Sequence, residues 1–169
     1  MNHQDNRPIR LGVVGAGRGR SYMNVSEAVG FELVAICDTW EEKLERVGRE
    51  LNVTTYNDYD RFLQHDTDAV VLCNFFHQHA PFAEKAFSAG KHVMRECAAC
   101  HTLAEGVSLA RAVEHSGKIY MFAENYPYSA YNQEMRRRYQ AGEIGNFKYG
   151  EGEYVHPDPA EVKLARSCG

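Results

Sequence analysis

The stretch Ile9-Arg10-Leu11-Gly12-Val13-Val14-Gly15-Ala16-Gly17-Arg18-Gly19-Arg20 decides the fold. A short apolar run breaks into glycines, and a helical pattern follows. Such a run suits a buried strand. Glycines after it permit a tight turn, close backbone approach to an anion, and close packing of the next helix on the strand. The next apolar run, Leu33–Cys37, is closed by Asp38, 19 residues after Gly19. A strand-end acid about 20 residues beyond the glycines is the spacing that meets the ribose of a dinucleotide. Gly15, Gly17, Arg18, Gly19, Arg20, Asp38 and Thr39 are therefore the candidate residues of a dinucleotide site.

The third fingerprint position is Arg20, where glycine or alanine is expected. Gly19, one place earlier, is expected to supply the close packing in a shifted loop, with Arg18 or Arg20 reaching phosphate. Asp38 would repel a 2′-phosphate, which favours NAD; the neighbouring arginines leave NADP open. A lone Gly-x-Gly also fits an ordinary turn in a fold that binds something else.

Outward from this turn, apolar runs alternate with helical patterns. A first helix is expected through Ala28, and Trp40, Leu44, Val47 and Leu51 mark one face of a second. Asp38 or Thr39 can cap that second helix. Thr54–Tyr56, Ala69–Cys73, His92–Met94 and Ile119–Ala123 read as further strands, with helices over Tyr59–His65, to about Ala89 with Pro81 in the first turn, and from a Thr102/Glu105 capping box to Gly117. Strands separated by helices predict α/β architecture, a doubly wound parallel sheet of the Rossmann type. After Ala123 the pattern changes. Tyr128–Gln140 reads as a polar helix carrying Arg136-Arg137-Arg138, whose bland reading is a solvated face. Ile144–His156, with Phe147, Tyr149 and Tyr154 among polar neighbours, reads as the first strand of a second α/β domain. The expected division is residues 1–125 and 126–169. A single strand cannot build a core, so the chain is expected to stop inside the second domain.

Composition narrows the function classes. Of 169 residues 44% are hydrophobic and 25% charged, and the net charge is −4. A mildly acidic chain without a basic stripe is a poor nucleic-acid binder. No run reaches the roughly 18 apolar residues of a spanning helix, and the polar N-terminus has no apolar signal core. Five cysteines is an odd number. Together these predict a cytoplasmic chain without a disulfide framework, and no membrane or nucleic-acid partner.

From strand four onward the chain resembles the Gfo/Idh/MocA oxidoreductases. The resemblance rests on VVGAGRGR at Val13–Arg20, ICD at Ile36–Asp38 and VVLCNFFHQHAPFAEKAFSAGKHVMREC at Val70–Cys97. It continues in SGKIYMFAENYPYS at Ser116–Ser129 and GEIGNFKYGEGEYVHP at Gly142–Pro157. It implies a Rossmann domain followed by an α/β domain with a mostly antiparallel sheet. It also implies NAD(P)-dependent hydride transfer on a sugar, cyclitol or related polyol, and a homo-oligomer in the full-length form. The family's Thr-Pro falls on Asn74-Phe75. His79 and Asn125 fall near the nicotinamide, and Glu96 near its ribose. The family's catalytic lysine position is Cys97, so the catalytic group stays unknown. Relatives in the same superfamily include redox-assisted glycosidases, and a non-catalytic dinucleotide sensor is a third reading.

Cys97-Ala98-Ala99-Cys100-His101 also matches a haem-attachment string and a redox or zinc pair. Haem attachment needs export, and zinc needs further ligands at sensible spacing. No metal site is expected. Tyr126, Tyr128 and Tyr131 could line a sugar site or pack a linker helix.

Overall fold

A computed structural model of the chain describes residues 7–153 and 155. The apolar runs become β1 (Ile9–Val14), β2 (Phe31–Cys37), β3 (Thr54–Tyr56), β4 (Ala69–Leu72), β5 (His92–Arg95) and β6 (Tyr120–Phe122). They form one sheet in the order β3-β2-β1-β4-β5-β6, every pairing parallel. The helices between them are α1 (Arg20–Val25), α2 (Glu41–Leu51), α3 (Tyr59–Leu63), α4 (His79–Ser88) and α5 (Leu103–Ser116). This is the doubly wound α/β fold. Its order reverses between β1 and β4, and the carboxyl ends of those strands flank the crevice where such sheets bind ligands.

Successive residues of each strand serve opposite faces, which is why the runs are apolar throughout. Leu11, Val13, Ile36 and Val71 pack with Met23 of α1 and with Leu44 and Val47 of α2. Val14, Ala35, Val70, Leu72 and Val93 pack with Phe62 of α3, with Ala83, Ala86 and Phe87 of α4, and with Leu109 of α5. Gly12 lies on this second face: a Cβ there would stand 2.5 Å from the Phe62 ring.

The Thr102/Glu105 capping box forms: Thr102 Oγ1 accepts the Glu105 N–H, and Glu105 Oε2 accepts the Thr102 N–H. Three helix expectations are corrected: neither Asp38 nor Thr39 caps α2, whose N-cap is Trp40 with no side-chain capping bond. α1 stops at Val25, and a 3₁₀ turn over Glu27–Val29 ends at Gly30 in the left-handed region. Trp40 is not on the buried face of α2 but immediately precedes it, 59% exposed. The Asp38 carboxylate accepts the Trp40 N–H at 2.9 Å, which satisfies that donor outside the helix.

The chain divides into two units, Met1–Glu124 and Asn125–Gly169. In the second, a 3₁₀ turn over Tyr126–Tyr128 precedes α6 (Ala130–Gln140). Arg137 and Arg138 both pair with Glu134 at 2.8 Å on this exposed helix. The expected strand over Ile144–His156 is not formed among the described residues: 141–144 are turns and 147–153 have no regular structure. Tyr154 and His156 lie outside the described residues. Alternating side chains specify a strand only when a neighbour takes up its backbone hydrogen bonds, and no such neighbour is present among the described residues.

Candidate functional site

The glycine turn is held by backbone bonds at both ends. Gly15 N–H donates to Cys37 O at 2.8 Å, tying the turn to the end of β2, and Gly19 N–H donates to Gly15 O at 3.0 Å. Gly15 has φ +98°, and a Cβ there would stand 2.6 Å from Cys73 O, so glycine is required on two counts. A Cβ on Gly19 would stand 2.2 Å from Gly15 O and 2.6 Å from Val13 Cγ1. Gly19 thus provides the close helix–strand approach one position before Arg20. Gly17 and Arg18 are exposed, and among the described residues their N–H groups have no backbone acceptor. Such a run of unused N–H groups suits an anion.

Asp38 is docked onto this turn. One carboxylate oxygen accepts the Ala16 N–H at 2.6 Å and the other the Trp40 N–H at 2.9 Å. A carboxylate offers about four lone-pair sites, so acceptor capacity remains for a pair of hydroxyls. Thr39 is exposed beside it. Lys43 Nζ lies 4.8 Å from the centroid of the Trp40 ring. Arg20 is engaged elsewhere: its guanidinium pairs with Glu50 of α2 at 2.8 Å. Arg18 reaches across the strand ends instead. Its Nε donates to Glu96 Oε1 at 2.6 Å, and its Nη2 pairs with the same oxygen.

The ends of β4 and β5 form the other half. Asn74 Nδ2 donates to Gln78 Oε1 at 3.2 Å, while Asn74 Oδ1 is buried without a hydrogen-bond partner. A buried unmatched amide oxygen is costly, and a ligand donor would relieve it. Phe75 is 58% exposed, its ring stacked on His77. His79 is fully buried: Nε2 lies 3.0 Å from Asn74 O and Nδ1 3.0 Å from Ala98 O. Burial holds this imidazole below the ordinary histidine range, and the Arg95 guanidinium acts in the same direction. Its ring nitrogens face the backbone rather than the crevice.

Cys97 stands one residue beyond Glu96. Burial, with Glu96 and Glu124 nearby, raises its thiol above the ordinary value, so at neutral pH it is no base. Cys37 and Cys73 are buried, and burial pushes both thiols up to about 12. Among the described residues no group of three His, Cys, Asp or Glu side chains could hold a metal, and no helix is long and apolar enough to cross a membrane. His101 is exposed, its N–H donating to Glu105. Asn125 opens the second unit, preceding the 3₁₀ turn there.

Sequence reading missed Arg95, whose side chain is wholly buried although it is charged. The signal was present: Arg95 is two residues beyond Val93 in β5, and period two places both on the same face.

The family model of oxidoreductases with an NAD-binding Rossmann fold matches residues 9–124. The chain belongs to this Gfo/Idh/MocA family. Among curated relatives, a glycosyl hydrolase family 109 protein of Shewanella sp. (strain ANA-3) is 30% identical over 161 residues, covering 88% of this chain and 35% of the relative. A family 109 protein of Saccharopolyspora erythraea is 28% identical over the same length. The chain thus spans about a third of these relatives. Among solved structures, the WlbA dehydrogenase from Bordetella pertussis, in complex with NADH and UDP-GlcNAcA, is 26% identical with TM-score 0.77, covering 82% of this chain and 44% of that one. The apo scyllo-inositol dehydrogenase from Lactobacillus casei, 22% identical, shares the fold with TM-score 0.79 over 85% of this chain and 44% of that one.

Proposed function

We propose that this chain is the dinucleotide-binding part of an oxidoreductase that moves a hydride between NAD and a sugar, cyclitol or related polyol. The observation that carries the reading is the Asp38 carboxylate fixed on the Ala16 N–H at 2.6 Å, beside a turn that only glycine at 15 and 19 permits. Asp38 would hold the adenosine ribose, and the exposed N–H groups of Gly17 and Arg18 the pyrophosphate. Asn74 and Glu96 would meet the nicotinamide half. When bound, NAD supplies the hydride acceptor. The residues here bind and orient it. Asp38 disfavours a 2′-phosphate, which supports NAD over NADP. Titration with NADH and NADPH tests this: NADH should bind more tightly, and failure of both to bind would reject the reading.

A second reading draws on the family 109 relatives. In it bound NAD would take up a hydride from the sugar, the leaving group would be eliminated as an alcohol, water would add to the resulting enone, and the hydride would return, for net glycoside hydrolysis. Incubation of the complete protein with NAD and either polyols or aryl glycosides separates the two. Net NADH accumulation supports the dehydrogenase, and phenol release without it supports the glycosidase.

A further inference from the structure

Among the described residues Arg95 is the one arginine or lysine in the buried set, with no exposed surface. A buried cation normally keeps a carboxylate beside it, yet the partners here are neutral. Arg95 Nε and Nη2 both donate to the Tyr120 hydroxyl, at 2.9 and 2.5 Å. Nη1 donates to the Glu96 backbone carbonyl at 3.2 Å and lies 3.4 Å from His79 Nδ1. The guanidinium carbon sits 4.9 Å from the Phe122 ring centroid and 5.6 Å from that of Tyr120. Its positive charge is thus spread over two ring faces and neutral oxygens.

What these contacts join is specific. Tyr120 and Phe122 belong to β6, and the Glu96 carbonyl is the first residue past β5. His79, at the start of α4, lies between the carbonyls of Asn74, past β4, and Ala98, past β5. The His79 ring spans these two carbonyls, donating its one N–H to one of them, and Arg95 Nη1 packs 3.4 Å from Nδ1. One guanidinium therefore couples the carboxyl ends of β4, β5 and β6. An apolar residue of similar size would fill the space but make none of these bonds.

We infer that Arg95 is a positioning residue for the nicotinamide half of the dinucleotide, setting the Glu96 and Asn74 backbones that frame it. The inference rests on the nucleotide reading above and names a residue that reading does not use. It acts through other groups and touches no ligand itself. The adenosine half, held by Asp38 and the glycine turn, lies on the other side of the strand-order reversal and is independent of it.

The test is calorimetric titration of the full chain with NADH and, separately, with ADP, which lacks the nicotinamide riboside. Arg95→Met should weaken NADH about 10-fold and ADP less than about 2-fold, and Arg95→Lys, which keeps a donor for the Glu96 carbonyl, should recover part of the loss. Tyr120→Phe preserves packing and removes the hydroxyl that accepts two guanidinium bonds. It should weaken NADH about 3-fold with ADP unchanged, and it serves if Arg95→Met does not fold. Equal weakening of both ligands, or no change in either, would overturn the inference alone. If the unaltered chain bound neither ligand, the nucleotide reading would fall and this inference with it.

Discussion

Arg18 and Glu96, 78 residues apart, are joined by a hydrogen bond of 2.6 Å that runs from the glycine turn to the end of β5. On the nucleotide reading proposed above, the pair crosses the strand ends that would face the nicotinamide riboside. Glu96 is largely buried while the Arg18 side chain is more than half exposed. The pair therefore contributes at most about 1 kcal/mol to stability. Its larger effect is to aim the Glu96 carboxylate. Glu96→Ala is expected to weaken NADH about 10-fold, or about 1.4 kcal/mol, with thermal stability changed by only a few degrees. Paired calorimetry and melting curves check this.

Gly19→Ala should damage the site and the fold together. The new methyl would meet backbone oxygen at 2.2 Å and Val13 at 2.6 Å. Overpacking of this kind costs about 1–3 kcal/mol. At Gly17 a methyl would meet only the Lys43 ammonium, at 3.2 Å, on a side chain that can move. A lower unfolding midpoint in urea for Gly19→Ala, with little change for Gly17→Ala, is the expected result.

Asp38→Ala should narrow the gap between NADH and NADPH. It removes the charge that opposes a 2′-phosphate and the acceptor for two loop N–H groups. NADH affinity should fall about 10-fold or more, and NADPH affinity should fall less or rise. Tryptophan emission offers a readout, since Trp40 is the only tryptophan in the sequence and adjoins Asp38.

His79 predicts a loss of stability on the acid side. Its folded value lies below the ordinary one, so the unfolded chain binds the proton more readily. Stability from this residue is complete above about pH 6.5 and falls as the pH drops from there toward the lower folded value. His79→Gln cannot take up that proton. The difference in unfolding free energy between the unaltered chain and His79→Gln should shrink between pH 7 and pH 5. A difference independent of pH would refute the assignment.

Cys97→Lys alone should not create a polyol dehydrogenase. A positioned base contributes about 10²–10⁴-fold, but only when the substrate is oriented as well. The raised Cys97 thiol does not serve as that base at neutral pH. Neither the 169-residue chain nor this variant should reduce NAD at an enzymatic rate with a panel of inositols and sugars. Robust NADH formation by either would contradict this.

The sequence alone determined the strands and the α/β class, because strand and helix identity follow from local periodicity and turn chemistry. Continuous apolar runs, glycines at 15 and 19 and the acid at 38 are each legible within a few residues, and the Thr102/Glu105 cap is legible within four. Pairing across the fold was not legible in this way. Nothing near Arg20 in the chain says that it turns to Glu50, nor that Arg18 spans to Glu96. The residue alternation at 144–156 reads as a strand, yet a strand exists only where another backbone accepts its hydrogen bonds. Tertiary structure also decided that His79 and Arg95 are buried rather than lining the crevice. Their surroundings come from β4, β5, β6 and α4 together, and burial is a property of that assembled packing rather than of any one segment.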